Sequence, residues 1–524
     1  MKLSKININL LLIVITAVLF QMFLFIEKEN FHIDEMFSFV LANNNNGMVL
    51  FYDSSEVDNK VLTGKYLNDY IIKQKGGSFI NTWHKVSEDN HMPIYFVLLR
   101  AFNVFDSTIF NTLSGIFFNI VVLIFLLIGF YKLTKLFFVN ENLVIVITGI
   151  FAFSQTVLSL EVYIRMYLLL MAFSVWLLYY TGKYFLLEQR KELFFIFFLT
   201  VLTILTHYYS LIFCFFLAFF VCSFYFLEKK YKQMFLFGFI MLGAVIVAYL
   251  SFPTMLDTGL HGERGSQLWL GVNEFREKPL SVLNGKIPLF TDTIFKNFWL
   301  FVSFMCLVVF LGDKNKYLSI LFFVFICYGF LIALVMPVML HYQIRYFAPI
   351  LPIFILLVGD IIVCLGNKCK FSQKNIFVIL CAIMLFLGGK NIIWRDSPFY
   401  MHGTRNSRKM ENLVNGADIW WGFGGGWQYA WMIHLYVDKL AKADKTWVLE
   451  NYNHPAFLEF SKQEVKNKKY AYLFMPKTQE TNIEGAINWI KERTGRTAYY
   501  LFTSKSPNTA SMVLEASVYL VCPY

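Results

Sequence analysis

The chain has 524 residues, of which 57 % are hydrophobic, 19 % aromatic and only 15 % charged, with 59 phenylalanines. So little polar surface excludes both a disordered chain and a string of ordinary water-soluble domains. The formal charge of +11, from 46 Lys plus Arg against 35 Asp plus Glu, would suggest nucleic-acid binding only if its placement were ignored, because excess lysine in an apolar chain belongs in cytoplasmic loops.

Several apolar runs reach the ~20 residues that cross a hydrocarbon core of about 30 Å, and nothing between them alternates as strands do, which predicts an α-helical polytopic membrane protein rather than a barrel. The first span, 8–26, follows Lys2 and Lys5 and has no small-residue cleavage site, so it is expected to remain as a helix with its N-terminus inside. An outer loop, 27–92, leads to 93–105, which is too short to span, opens with Pro93 and contains Arg100; it fits an interfacial helix on the outer face.

Ten further spans are expected near 110–131, 143–160, 164–182, 192–206, 209–227, 233–252, 294–312, 317–338, 346–366 and 375–392, making eleven crossings. The lysines agree with that number. Lys132 and Lys135, Lys183 with Arg190 and Lys191, Lys229 with Lys230 and Lys232, Lys314 with Lys316, and Lys368 with Lys370 and Lys374 all fall in alternate loops on the side of the N-terminus. A crossing at 93–105 would put every one of these clusters outside.

Residues 1–392 therefore form the membrane domain. After Lys390 charges and glycines become frequent, and short apolar strings at 446–449, 470–474, 498–502 and 512–520 read as strands. Helical spacing at 430–442, 456–467 and 483–492 completes a small C-terminal α/β domain, 393–524, on the extracytoplasmic side. The string Trp420 to Trp427 has the glycines of a phosphate loop but lacks the following Lys-Ser or Lys-Thr, and a turn is the preferred reading. Seven of the eight cysteines lie in or beside spans and only Cys522 is in the polar tail, so neither a disulfide framework nor a structural zinc site is expected.

Once the topology is set, the unusual polar residues fall mostly on the outer face. Asp34 and Glu35 follow the first span, His84, Asp89 and His91 precede the interfacial helix, Glu161 and Arg165 flank the next outer turn, His207 lies in another, and His341 with Arg345 in a fourth. Ionisable groups near hydrocarbon cost several kcal/mol unless paired or serving a cavity, so their accumulation points to a polar interfacial pocket. Adjacent carboxylates at 34 and 35 repel, which can leave one as a general base; solvated loop acids are the plainer alternative. Glu161 and Arg165 have the i, i+4 spacing of a helix ion pair. Arg345 precedes a helix carrying Pro349 and Pro352 and suits either an anion or a lipid headgroup. His207 fits a phosphate, a metal, a carboxylate or an ordinary interfacial hydrogen bond.

In order along the chain, the Asp34-Glu35 pair, the His91-Met92-Pro93-Ile94-Tyr95 segment, Arg165 with Tyr167, His207 with Tyr208, and Arg345 with Tyr346 resemble the lipid-linked-sugar glycosyltransferases of the GT-C superfamily, nearest to protein O-mannosyltransferases and the lipid A aminoarabinose transferase. The resemblance covers about residues 1–392, with a Met where the usual His-Pro-Pro has its first proline and Asn111 where many relatives carry Arg. It implies an inverting transferase of the bacterial cytoplasmic membrane that moves a sugar from a polyprenyl phosphate to a protein, lipid or cell-envelope glycan acceptor outside the cell. Asp34 would be catalytic with Glu35 in support. Arg165, Tyr167, His207, Arg345 and Tyr346 would bind the donor phosphate, and His91, Glu161 and His341 would line the pocket. A divalent metal ion is admitted but not compelled by any ligand spacing, and nucleic acid is not a partner. The competing class is a transporter or lipid flippase of envelope precursors, for which a midplane site between repeated halves would be expected and is not seen in the sequence.

Overall fold

The computed structural model describes residues 8–28, 32–44, 60–67, 78–89, 91–104, 111–256, 269–270, 273–295, 298–311, 315–335, 344–393, 407–415, 418–422, 440–449, 471–476, 483–506 and 514–522. The chain divides into two compact units, one of Met1–Phe25, Val86–Tyr95 and Ile116–Pro398, the other of Ile26–Lys85, Phe96–Gly115 and Phe399–Tyr524.

The first unit is helical, and every segment expected to span is helical over most of its described length, though 143–160 is broken into two helices. Among the described residues, seven helices are long and apolar enough to cross a membrane: Ile8–Ile26, Thr112–Thr134, Tyr167–Leu187, Tyr209–Leu227, Tyr231–Ser251, Lys316–Leu334 and Leu351–Lys368. An eighth candidate is a pair, Glu141–Ala152 and Gln155–Glu161, bent by 58° at a short break. The cause of the bend is local. Ser154 adopts an extended backbone and caps the second helix, its hydroxyl accepting from the Val157 N–H at 3.4 Å. Glu192–Ile204, Phe298–Phe310 and Lys374–Met384 are apolar but shorter. Pro279–Ile294 is a helix that hydropathy alone left inside a loop.

Close helix packing is set by small residues and rings. A Cβ at Gly129 would stand 2.6 Å from the Trp176 indole nitrogen, so only glycine admits that ring, whose N–H donates to the Phe125 carbonyl at 3.0 Å. The lysine loops meet at one end of the bundle. Lys230 pairs with Glu188 at 2.9 Å and with Glu228 at 3.6 Å, and Lys316 pairs with the same Glu228, which ties the loops at 188, 228–230 and 316 together.

The second unit holds a six-stranded mixed sheet in the order β1-β3-β2-β4-β6-β5, with β1 Lys60–Thr63, β2 Asp418–Gly422, β3 Lys445–Leu449, β4 Ala471–Pro476, β5 Thr497–Ser506 and β6 Leu514–Cys522. Strand β2 lies parallel between β3 and β4, and the other pairs are antiparallel. The edge strand β1 comes from the segment after the first helix, paired Lys60↔Val448 through Thr63↔Lys445, which is why Ile26–Lys85 belongs with the C-terminal residues. Alternation explains the core: Ala471, Leu473 and Met475 from one face of β4 and Tyr519 and Val521 from β6 pack on Ala486, Trp489 and Ile490, spaced i, i+3, i+4 on helix Ile483–Thr494. Trp420 to Gly422 extend as strand β2 instead of turning, because two parallel neighbours pair with them. The expected helix at 456–467 lies outside the described residues, as does the expected helix at 430–442 up to residue 439; its last residues, 440–442, end in a turn before β3.

In the same unit, helix Ile33–Asn43 ends against Phe79–Ser87 and the Arg100 side chain. Both Thr82 Oγ1 and Arg100 Nη1 donate to the Ala42 carbonyl at 3.0 Å, satisfying a helix C-terminus with a cation and a hydroxyl. Half-buried Lys85 stands by that guanidinium with its Nζ sealed from water and without a hydrogen-bond partner among the described residues. Burial, with Arg100 adding repulsion, pushes its ammonium from the ordinary 10.5 down to about 8. Between those values the unfolded chain holds more protons than the folded one, so stability is lowest below pH 8 and rises as pH climbs toward 10.5. Lys85→Met is expected to flatten that rise in a thermal melt and to add about 1–2 kcal/mol at pH 7, after discounting for a half-exposed site.

Candidate functional site

The first unit gathers its polar chemistry at the helix ends remote from the lysine loops. Helix Gln155–Glu161 stops at Glu161, and five residues carry the chain to helix Tyr167–Leu187. The turn is clamped by carboxamides from two apolar helices. Gln21 Nε2 donates to the Glu161 carbonyl at 2.8 Å, and Asn119 Nδ2 donates to the carbonyls of Glu161 and Tyr163 at 2.9 and 3.1 Å. Fully buried amides in otherwise apolar helices are costly unless they hold backbone in place, and here both do.

The turn presents Tyr163, Arg165 and Tyr167. Arg165, 4 % exposed, places Nη2 at 2.7 Å from His91 Nε2, and His91 Nδ1 lies 2.6 Å from Asp89 Oδ2. Arg345, 6 % exposed, belongs to a 3-10 turn, Ile344–Phe347, that packs on Gln155–Glu161. It therefore precedes helix Leu351–Lys368 instead of occupying its first turn. Its Nη1 donates to the Tyr163 hydroxyl at 2.6 Å, and its guanidinium lies 5.9, 5.3 and 5.2 Å from the ring centres of Tyr163, Tyr167 and Tyr346. Tyr328 donates to the Tyr346 carbonyl at 2.8 Å and holds that turn. His207, buried between helices Glu192–Ile204 and Tyr209–Leu227, packs its ring 5.3 Å from Tyr167 and 6.0 Å from Tyr346. Its Nδ1 accepts from the Tyr209 N–H at 3.1 Å, which puts the proton of the neutral ring on Nε2.

Four of the sequence-predicted residues thus form one connected cluster, Tyr167, His207, Arg345 and Tyr346, while Arg165 leaves the same turn and is held by His91. The expected Glu161–Arg165 helix pair does not form. The helix has ended at Glu161, the Arg165 N–H bonds to the Tyr163 carbonyl at 2.7 Å, and the four-residue spacing no longer describes one helix face. The Glu161 side chain is fully buried, and neither carboxylate oxygen has a hydrogen-bond partner among the described residues. His341 lies outside the described residues.

The acid pair belongs to the second unit. Asp34 and Glu35 open helix Ile33–Asn43, with His32 as N-cap: His32 Nδ1 accepts from the Asp34 N–H at 3.1 Å, and Glu35 Oε2 accepts from the His32 N–H at 2.6 Å. This is a capping box built on histidine. Glu35 is fully buried and its other oxygen is paired with Lys28, whose ammonium burial pushes below the usual lysine range while Glu35 opposes the shift. Asp34 is different. Its side chain keeps 19 % exposure and its Oδ2 stands 3.7 Å from His32 Nδ1, a nitrogen already accepting a hydrogen bond, so that contact is not a charged pair. The two neighbouring carboxylates therefore sit in unlike environments, one tied into the cap and the other reachable.

Among the described residues no group of three or more His, Cys, Asp or Glu side chains is arranged to hold a metal ion. The donor set at Asp34 does not fit such an ion, since the neighbouring carboxylate is occupied by Lys28 and the His32 backbone. The residues singled out from sequence do not include Gln21, Asn119 and Tyr163. Gln21 and Asn119 carried a legible signal, a lone carboxamide inside an apolar run.

No family model matches the chain, and no curated protein matches it. Among solved structures it is similar to an Archaeoglobus fulgidus oligosaccharyltransferase complexed with Zn and sulfate, at 12 % identity and TM-score 0.46, over 93 % of this chain and 71 % of that one. The archaeal oligosaccharyltransferase from the same organism, in complex with an inhibitory peptide and a dolichol-phosphate, is similar at 12 % identity and TM-score 0.42, over 97 % of this chain and 74 % of that one. At such identities and superpositions the likeness adds no weight to the geometry above.

Proposed function

We propose that the protein is an integral membrane glycosyltransferase that takes a sugar from a polyprenyl phosphate carrier and transfers it, with inversion, to a protein, lipid or cell-envelope glycan acceptor on the extracytoplasmic face of a bacterial cytoplasmic membrane. The supporting observation is a pair of nearly buried arginines at helix ends, Arg345 held by tyrosines and Arg165 by a histidine. Cations sealed in that way suit an anion whose charge grows as a bond breaks, and a planar guanidinium matches phosphate with two parallel hydrogen bonds.

In this reading the acceptor hydroxyl attacks the sugar's anomeric carbon, the bond to the carrier oxygen breaks, and its electron pair leaves on the phosphate. Arg165 and Arg345 receive that charge, with Tyr167, His207 and Tyr346 around them. Asp34 takes the hydroxyl proton, which is the role suited to the reachable member of the acid pair. Glu35 supports it by fixing the start of the helix. Glu161 lines the pocket, and His341 is retained on its sequence position alone. No step passes through a metal.

Membranes containing the protein, supplied with radiolabelled polyprenyl phosphate sugars, are expected to yield label covalently attached to an acceptor. Label that only changes leaflet, still on its carrier, would assign the protein to transport. The proposed topology has its own test: a reporter fused after Tyr524 is expected to behave as exported, and cytoplasmic activity of that reporter would remove one crossing.

A further inference from the structure

The three side chains Asp89, His91 and Arg165 stand in a line, and hydrogen-bond chemistry fixes how protons are distributed along it. A guanidinium has donors only, so the 2.7 Å contact between Arg165 Nη2 and His91 Nε2 requires that Nε2 be the acceptor. The proton of the neutral imidazole is then on Nδ1, where Asp89 Oδ2 accepts it at 2.6 Å. The line is sheltered, with His91 and Asp89 side chains 12 % and 16 % exposed. Two of its members have different anchors: Arg165 sits in the turn clamped by Gln21 and Asn119, and His91 opens the run into helix Pro93–Phe102, whose Ile94 N–H bonds to the Leu205 carbonyl at 3.1 Å.

We propose that Asp89 and His91 are positioning residues for Arg165: Asp89 selects the imidazole tautomer whose Nε2 holds one amino group of the guanidinium and so sets the plane of the fork that meets the donor phosphate. This rests on the proposed role of Arg165 as a phosphate ligand. A long arginine side chain has several rotamers, and a fork is effective only when its plane is set in advance. The imidazole sets that plane without adding charge, which a carboxylate in the same place could not do without competing with the phosphate for the cation.

The test uses the purified full-length chain, with polyprenyl phosphate as the probe for binding and labelled polyprenyl phosphate sugar for turnover. His91→Leu removes the acceptor and is expected to weaken polyprenyl phosphate binding about tenfold to a hundredfold, as loss of a hydrogen bond to a charged group does. His91→Gln places an amide oxygen near the Nε2 position and is expected to recover most of that affinity. Asp89→Leu should reproduce the His91→Leu loss, while Asp89→Asn, which can still accept from Nδ1–H, should lose much less. Parental affinity in the folded fraction of His91→Leu would overturn the proposal. So would a His91→Gln variant with intact affinity but a kcat reduced a hundredfold, which would make the imidazole a proton carrier. Arg165→Ala separates the two levels: if it binds polyprenyl phosphate as the parent does, the donor-site reading itself fails, whereas a loss there with none in His91→Leu removes the positioning line alone.

Discussion

Replacing Asp34 by Asn is expected to lower sugar transfer by about 100-fold to 10,000-fold, the contribution of a positioned general base, while donor binding is kept. The contrast with its neighbour makes this specific. Glu35 is fully buried, pairs with Lys28 and accepts from the His32 backbone, so Glu35→Gln breaks a buried ion pair and is expected to cost about 3–5 kcal/mol of stability. Asp34 contributes its backbone N–H to the cap, which Asn preserves, and its carboxylate keeps contact with water. Asp34→Asn should therefore melt near the parental temperature and fail in turnover. Transfer by Asp34→Asn at close to the parental rate would remove Asp34 from the mechanism and direct attention to other acids.

The second large effect concerns the arginines. Arg165→Lys and Arg345→Lys keep a positive charge but exchange a planar fork for a point donor, and each is expected to weaken polyprenyl phosphate binding about tenfold to a hundredfold. The two should differ in stability. Arg345 donates to Tyr163 and lies over the rings of Tyr163, Tyr167 and Tyr346, so its replacement also disturbs the tyrosine packing around His207. Arg165 is held by His91, and its replacement should disturb that tyrosine packing less. Binding assays in detergent micelles read both variants; parental affinity in both would make these arginines structural.

Much of the fold is legible in the sequence. Long apolar runs become helices because hydrocarbon leaves the backbone no other way to satisfy its hydrogen bonds, so the segments at 112–134, 167–187, 209–227 and 231–251 follow almost directly from composition. The strands at 445–449, 471–476 and 514–522 follow from short apolar strings set between charges and glycines. What failed was local. The Glu161–Arg165 spacing presumed a continuous helix, and only the cap at Ser154 and the stop at Glu161 show where helix ends and turn begins. Strand β2 was hidden because glycines after Trp421 signal a turn, while pairing to β3 and β4 is a long-range effect that no local pattern carries. The His32 cap carries no sequence signal, since Ser, Thr, Asp and Asn are the ordinary residues there. Adjacent acids looked alike in sequence; burial separated them.

The central claim is that a bond to a lipid phosphate breaks, and the most direct measurement is the fate of the carrier itself. The purified protein in lipid vesicles, given a polyprenyl phosphate sugar and a mixture of envelope acceptors, is followed by mass spectrometry of the lipid fraction. The account predicts that free polyprenyl phosphate accumulates as the sugar-bearing lipid disappears, and that the Asp34→Asn variant leaves the donor intact. A sugar-bearing lipid that persists unchanged with every acceptor class, or one that merely moves between leaflets, would contradict it.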